Sequence, residues 1–348
     1  MTQHHLRATA LALLTLSACA DGYTSLGNNS PDGAPTRGPR SRPPSLSGLP
    51  WPSGTNVLQD PAEIAAWAAY RGRPNDVAVV MTNYETWDTL TQPGAWLDEL
   101  RDFPGVLVIA QAMWAGRAYN EAVSAADLAA CAAGNFDAYW RDFGETLVAH
   151  GRQNSIVRLG WQFNGNDVPW QATDPVAWIA CFRRIVTAIR EHAPEVLIDW
   201  SMDAHGTENP EGGHAFDVYP GDEFVDVVGI DAFDMWPASK TEQAFLDQCR
   251  GPEGICTVVD FARAHRKLFG SGRWCAVDCF ATGVPDVDYG RDNPFYIERM
   301  HRVFAENADI VGYETYFNEE PAKLFCSSLY DTTRLPLSAQ RYRTLWGR

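Results

Sequence analysis

The stretch Ser155-Ile156-Val157-Arg158-Leu159-Gly160-Trp161-Gln162-Phe163 reads as a strand with two unlike faces. Val157, Leu159 and Trp161 share one face, and Arg158, Gly160 and Gln162 the other, because successive side chains of a strand alternate. The apolar face is the one a helix covers, so the Arg–Gly–Gln face is expected to point into a closed sheet. The same order, a small residue and then a polar one two positions on, recurs as Gly229 and Asp231, Ala276 and Asp278, and Gly312 and Glu314. Small residues leave room inside. The polar groups beyond them are then expected at the C-terminal mouth, where barrel enzymes place their chemistry.

Outward from this stretch, short apolar runs alternate with helical patterns. The strand candidates are Thr55–Gln59, Val77–Thr82, Val106–Met113, Ser155–Phe163, Val196–Ser201, Phe224–Asp231, Trp274–Phe280 and Ile310–Tyr316. Between them, Phe136, Trp140, Phe143 and Leu147 share one helical face, as do Trp178, Phe182, Ile185 and Ile189. Strand–helix alternation demands a parallel sheet, and eight units are the number that closes it. The expected fold is α/β, a (β/α)8 TIM barrel over residues 53–348. The chain has 348 residues, 45% of them hydrophobic, which suffices for one large core.

The N-terminus predicts export. Arg7 precedes an apolar run, Ala8 to Leu16, that is too short to span a bilayer and ends in Leu16-Ser17-Ala18-Cys19. Residues 1–19 thus read as a signal peptide, with Cys19 as the lipid attachment site of a bacterial lipoprotein. One thioether-linked lipid plus an amide-linked chain holds a protein on a membrane. Residues 20–52, rich in Gly, Pro, Ser and Arg, read as a flexible tether with a reach on the order of 30 Å. The expected location is the bacterial cell envelope, with the bilayer contacted only through Cys19.

Of the eight cysteines, seven remain after Cys19, an odd number that leaves at least one thiol over. Cys249 and Cys256 flank Gly251, Pro252 and Gly254, which suits a local bridge. Cys131 and Cys181 fall near two predicted helices and are expected to staple them. Cys275 and Cys279 lie roughly 13 Å apart at strand rise, too far to bond each other. One of them could pair with Cys326, and the pairing of these three stays open, with at least one expected to be reduced. No Cys-x-x-Cys or His-x-x-x-His spacing appears, so neither metal nor cofactor is expected. The acidic loop Asp286–Asp292 lacks the terminal Glu of a calcium loop and reads as solvated. With 28 basic and 44 acidic residues the net charge is −16, which argues against nucleic acid as a partner. A monomer that takes a neutral polysaccharide or oligosaccharide fits this balance.

The segment Arg158-Leu159-Gly160-Trp161-Gln162-Phe163-Asn164-Gly165, followed by Val168-Pro169-Trp170, resembles the strand-4 motif of glycoside hydrolase family 26, the β-mannanases. Val227-Val228-Gly229-Ile230-Asp231-Ala232-Phe233-Asp234 is similar to its strand 6. Gly290–Ile297 and Gly312–Asn318 are similar to the segments before and at strand 8. The resemblance runs from about Thr55 to the C-terminus. It implies a retaining O-glycosyl hydrolase with two carboxyl groups about 5–5.5 Å apart. The acid/base falls on Gln162, whose amide cannot shuttle a proton. The nucleophile falls on Asp278, one methylene shorter than the family's Glu.

Three readings follow from that pair. In a hydrolase with relocated acid/base duty, the proton comes from Asp231, Glu314 or Asp203. In a glycan-binding barrel the cleft is retained without the chemistry. In a structural envelope lipoprotein there is no ligand. The expected catalytic set is Asp278, Gln162, Glu314 and Asp231, and the expected sugar contacts are Arg158, Asn164, Trp170, Asp203, Trp236 and Tyr316. Trp170 and Trp236 fall in loops beyond strands 4 and 6, where an indole can stack on a sugar ring. Trp161 and Trp200 have outward parity and are expected under helices.

Overall fold

Eight parallel strands close on themselves in sequence order: β1 (Ser53–Asn56), β2 (Val77–Met81), β3 (Val106–Gln111), β4 (Ile156–Leu159), β5 (Leu197–Asp203), β6 (Val227–Phe233), β7 (Leu268–Cys275) and β8 (Val311–Phe317). The last strand returns to the first with Ser53 opposite Glu314, so the (β/α)8 barrel expected from the alternation is the fold. The computed structural model describes residues 41–56, 60–118, 121–204, 213–279, 288–319 and 324–348. Cys19 and most of the tether lie outside them.

Ten helices are described: α1 (Pro61–Arg71), α2 (Trp87–Thr91), α3 (Gly94–Glu99), α4 (Ala125–Ala132), α5 (Asp137–Ala149), α6 (Pro175–His192), α7 (Glu242–Cys249), α8 (Ile255–Ala264), α9 (Pro294–Glu306) and α10 (Pro336–Trp346). Their starts follow from local chemistry. Asp60, Asp174 and Asn293 each accept a backbone N–H of the first turn, and each precedes a proline whose missing N–H costs a helix start nothing. The predicted face of α6, Trp178, Phe182, Ile185 and Ile189, is buried.

Two cores result. Inside the barrel lie Val77, Val79, Val106, Val108, Ile156, Leu197, Val227 and Tyr313. Between strands and helices lies a larger layer that includes Val157, Leu159 and Trp161, the parity expected of β4.

Three departures from the sequence reading matter for function. The seventh strand begins at Leu268, not Trp274. Gly270 and Gly272 resemble turn residues, but a Cβ on Gly270 would lie 2.5 Å from the Tyr313 ring, and one on Gly272 would lie 2.3 Å from the Arg158 guanidinium. These glycines make room for large inward side chains. The fourth strand ends at Leu159 because Gly160 and Gln162 turn left-handed, with φ of 58° and 56°. The chain also packs before residue 53. Ser47 and Trp51 are buried, and Asp76 accepts bonds from the Ser47 N–H and hydroxyl and from the Ser53 N–H. The first strand was expected over Thr55–Gln59, but it opens at Ser53, and residues 57–59 lie outside the described set.

Disulfides link Cys131 to Cys181, across α4 and α6, and Cys249 to Cys256, between α7 and α8. Both were expected. A third joins Cys279 to Cys326, and Cys275 is a buried free thiol. Such bonds form and persist in oxidising compartments, as in an extracellular protein. Among the described residues no helix is long and apolar enough to cross a membrane.

Candidate active site

The floor of the mouth is an ion-pair network inside the barrel. Arg158 on β4 donates from Nη2 to Asp231 on β6 at 2.7 Å and to the Ser201 hydroxyl at 2.8 Å, and its Nε lies 3.4 Å from Asp199 on β5. Tyr313 donates its hydroxyl to Asp199. All four charged and phenolic groups are buried. Gly229 makes room for Asp199, since a Cβ there would lie 2.3 Å from its carboxylate. Burial pushes the Asp199 carboxyl up, against the pull of Arg158 and the Tyr313 hydroxyl. Asp231 and Arg158 therefore face inward as expected, but they hold each other in the barrel interior. Neither stands free at the mouth.

Above this floor, the ends of β4 and β5 meet. The Gln162 N–H donates to the Ser201 carbonyl at 2.9 Å. Asn164 and Asp203 are tied reciprocally: the Asn164 amide donates to the Asp203 carbonyl at 2.9 Å, and the Asp203 N–H donates to Asn164 Oδ1 at 2.8 Å. Asp203 also stands opposite Asp231 in the register of β5 and β6. Its side chain is half-buried, and Oδ1 is sealed from solvent without a hydrogen-bond partner. Burial pushes this carboxyl well above the usual carboxylate range. Asp231 and Asp167 add to the shift, while the Ala204 N–H and Arg273 oppose it.

Asp278 lies beyond the end of β7. Its N–H donates to the Phe325 carbonyl, and its carboxylate accepts from Arg334 at 2.7 Å. Strand parity does not apply there, so the inward orientation expected for it has no basis. Trp236, in the loop after β6, is 45% exposed. The loop before α9 holds it in place: its N–H donates to the Asp288 carbonyl, and Asp288 also binds the Ala238 N–H and Lys240. These bonds, with Asp292 binding the Leu337 and Ser338 N–H groups, occupy two acids of the loop considered for calcium. Among the described residues no cluster of His, Cys, Asp or Glu has the makings of a metal site.

Three expected site residues sit elsewhere. Glu314 turns outward, because a register irregularity opposite Phe269 and Gly270 places Gly312 and Tyr313 in succession and inverts the parity beyond them. Its carboxylate accepts three indole N–H groups, from Trp274 at 2.7 Å, Trp346 at 2.9 Å and Trp51 at 3.3 Å. Tyr316 also faces the helices, stacked on Trp67 with centroids 5.6 Å apart. Trp170 is buried, with its N–H on the Trp161 carbonyl and its ring 4.4 Å from that of Trp161, which leaves no face for a sugar. Trp161 and Trp200 are packed, as expected.

Sequence reasoning missed Arg273 and the aromatic rim. A register shift between Ser271 and Trp274 sets Gly272 against Arg158 and Trp274 against the outer aromatics. Gly272 and Arg273 therefore both fall on the inner face, the re-aiming a bulge produces. The Arg273 guanidinium lies 5.4 Å from the centre of the Phe317 ring. Phe325 stacks on Phe233 at 4.5 Å and meets Phe317 at 5.8 Å. A correct start for β7 exposes Arg273 as a charged residue near the end of a barrel strand.

Solved structures that this chain is similar to include GH26 β-mannanases. The catalytic domain of the Bacillus sp. JAMB-750 GH26 endo-β-1,4-mannanase superposes with a TM-score of 0.58 at 15% identity, over 85% of this chain and 86% of that one. A double mutant of the Cellulomonas fimi endo-β-1,4-mannanase gives 0.57 at 15% identity, over 80% of this chain. A β-mannanase from a symbiotic protist of the termite Reticulitermes speratus, complexed with gluco-manno-oligosaccharide, gives 0.53 at 14%, over 86% and 87% of the two chains. The chain spans 65% and 61% of the length of two Cellulomonas fimi mannanase structures. Neither a protein-family model nor a curated protein matches the sequence. At these identities the likeness shows the fold alone, a (β/α)8 barrel of the kind seen in GH26 mannanases.

Proposed function

We propose that this chain engages a β-linked polysaccharide, mannan-type by resemblance, at the C-terminal mouth of its barrel, and that Asp203 supplies the proton that Gln162 cannot. The observation that carries this is Asp203 itself. It ends the strand beside Gln162, is fixed through its backbone by Asn164, and holds a sealed, unpartnered carboxyl oxygen. A carboxyl that burial pushes well above the usual carboxylate range is suited to act as a general acid. Asp278 takes the nucleophile's place, and Trp236 is the exposed indole available to a sugar ring.

The test is reducing-sugar release from a panel of β-linked glycans headed by β-mannan, by wild type and Asp203→Asn. The variant is expected to lose about 10²- to 10⁴-fold on the natural glycan. It should lose much less on an aryl glycoside whose leaving group needs no protonation. Equal rates on the glycan would remove Asp203 from the mechanism.

A second reading is a non-catalytic glycan-binding protein. Its support is the pair of altered positions: an amide at 162, and at 278 a carboxylate engaged by Arg334. Binding without release of reducing ends distinguishes it. In either case we place the protein on the cell envelope, exported and anchored through Cys19, as a monomer that does not bind nucleic acid.

A further inference from the structure

The geometry points to Arg273 as the receptor for a carboxylate on the glycan, so that the site takes an acidic, uronate-bearing β-glycan. This rests on the mouth being a glycan site and narrows the class of glycan.

Among the described residues Arg273 makes no hydrogen bond and no ion pair. Its Nε is buried without a partner, and its two terminal nitrogens reach solvent. Arg158 and Arg334 differ: Arg158 is bound by Asp231 and Asp199, and Arg334 by Asp278 and Asp331. Arg273 stands opposite Asp231 in the register of β6 and β7, on the inner face of the barrel near the end of β7. The Phe317 ring beneath holds the planar group in place.

The surrounding charges leave this cation unanswered. Asp231 and Asp199 are answered by Arg158, and Asp203 is pushed towards its neutral form. The net charge of −16 does not decide against an acidic ligand, because surface charges beyond a Debye length of about 8 Å are screened. A single guanidinium fork matches one carboxylate in two parallel hydrogen bonds. A phosphate, with nearly two charges, would remain half-compensated.

The experiment is calorimetric titration of the full chain with three probes of equal length: an oligomer of β-1,4-linked mannose, one of β-1,4-linked mannuronate, and a sulfated mannose oligomer. Each is run on wild type, Arg273→Gln and Arg273→Lys. Wild type is expected to bind the mannuronate oligomer about ten- to a hundredfold more tightly than the neutral one. Arg273→Gln should erase that preference and leave neutral binding within about twofold, and Arg273→Lys should restore part of it.

A wild type that binds neutral and uronate oligomers equally overturns the inference, as does a preference that survives Arg273→Gln or favours the sulfated probe. Neutral binding without uronate binding also overturns it while sparing the glycan site. No binding of any probe removes both. The wild-type comparison needs no variant, so a misfolded Arg273→Gln leaves the test intact.

Discussion

Replacing Arg158 by Met tests whether the barrel floor is organised as described. The guanidinium is fully buried, with Asp231 at 2.7 Å, Asp199 at 3.4 Å and the Ser201 hydroxyl at 2.8 Å. Methionine fills much of the stem's volume but leaves two buried carboxylates without a cation. Breaking a buried pair from one side costs about 3–5 kcal/mol, which in a domain of this size corresponds to a fall in Tm of about 6–15 °C. The loss should shrink in acid. A buried carboxyl whose pKa is raised holds a proton in the folded state that the unfolded chain releases, so stability falls as pH rises through that window and returns as pH falls. Asp199 is already raised with Arg158 present, and it rises further without it. Urea melts followed by tryptophan fluorescence at pH 7 and pH 5 give the measurement, and Arg158→Met with Asp231→Asn should regain at least half of the loss. A single variant that loses under about 1 kcal/mol at pH 7, with no dependence on pH, would show that the pairing is not what holds the floor.

Three further outcomes are expected. Cys19→Ala should shift the protein from the membrane fraction or leave an unprocessed precursor; a soluble wild type starting at another residue refutes the anchor. Cys326→Ser opens a loop of 47 residues and should cost about 2–4 kcal/mol in a denaturant melt, while Cys275, buried and with its thiol pushed up by burial, should react with maleimide only on unfolding. Ready labelling of native wild type would contradict that placement.

The barrel was legible because its evidence is periodic. Val157, Leu159 and Trp161 alternate with Arg158, and Trp178, Phe182, Ile185 and Ile189 repeat with the helix, so two periods fixed eight units without any tertiary fact. The site was legible only where strands run regularly to their ends. Arg158 and Asp231 lie on such strands, and their parity held, whereas Asp203 lay beyond the expected end of its strand at Ser201. Glu314 and Arg273 lie beyond irregularities of register in β8 and β7. A single extra residue moves every later side chain to the other face. Nothing in Gly312-Tyr313-Glu314 announces that extra residue, since the cause is the fit of Tyr313 against Gly270 and Asp199 across the barrel. Trp170 failed for a different reason. A loop tryptophan looks available to a ligand until its neighbours are known, and here they are Trp161 and Tyr84.

The residue at position 162 and the state of Asp203 are electrostatically connected. Backbone bonds position Gln162: its N–H on the Ser201 carbonyl, its carbonyl accepting the Gly165 N–H at 2.8 Å, and a left-handed φ of 56°. None of these depends on whether the side chain ends in an amide or a carboxylate, so the fold tolerates either. A glutamate there would add a charge at the end of the strand next to Asp203, which already feels Asp231 and Asp167. Like charges in one site cannot all stay ionised, and one carboxyl would take up a proton. With glutamine at 162 the competition is removed, and Asp203 is left as the half-buried carboxyl with a free oxygen at that strand end. The residue at 162 and the raised Asp203 then belong to one charge balance, and Gln162→Glu should change the titration of Asp203.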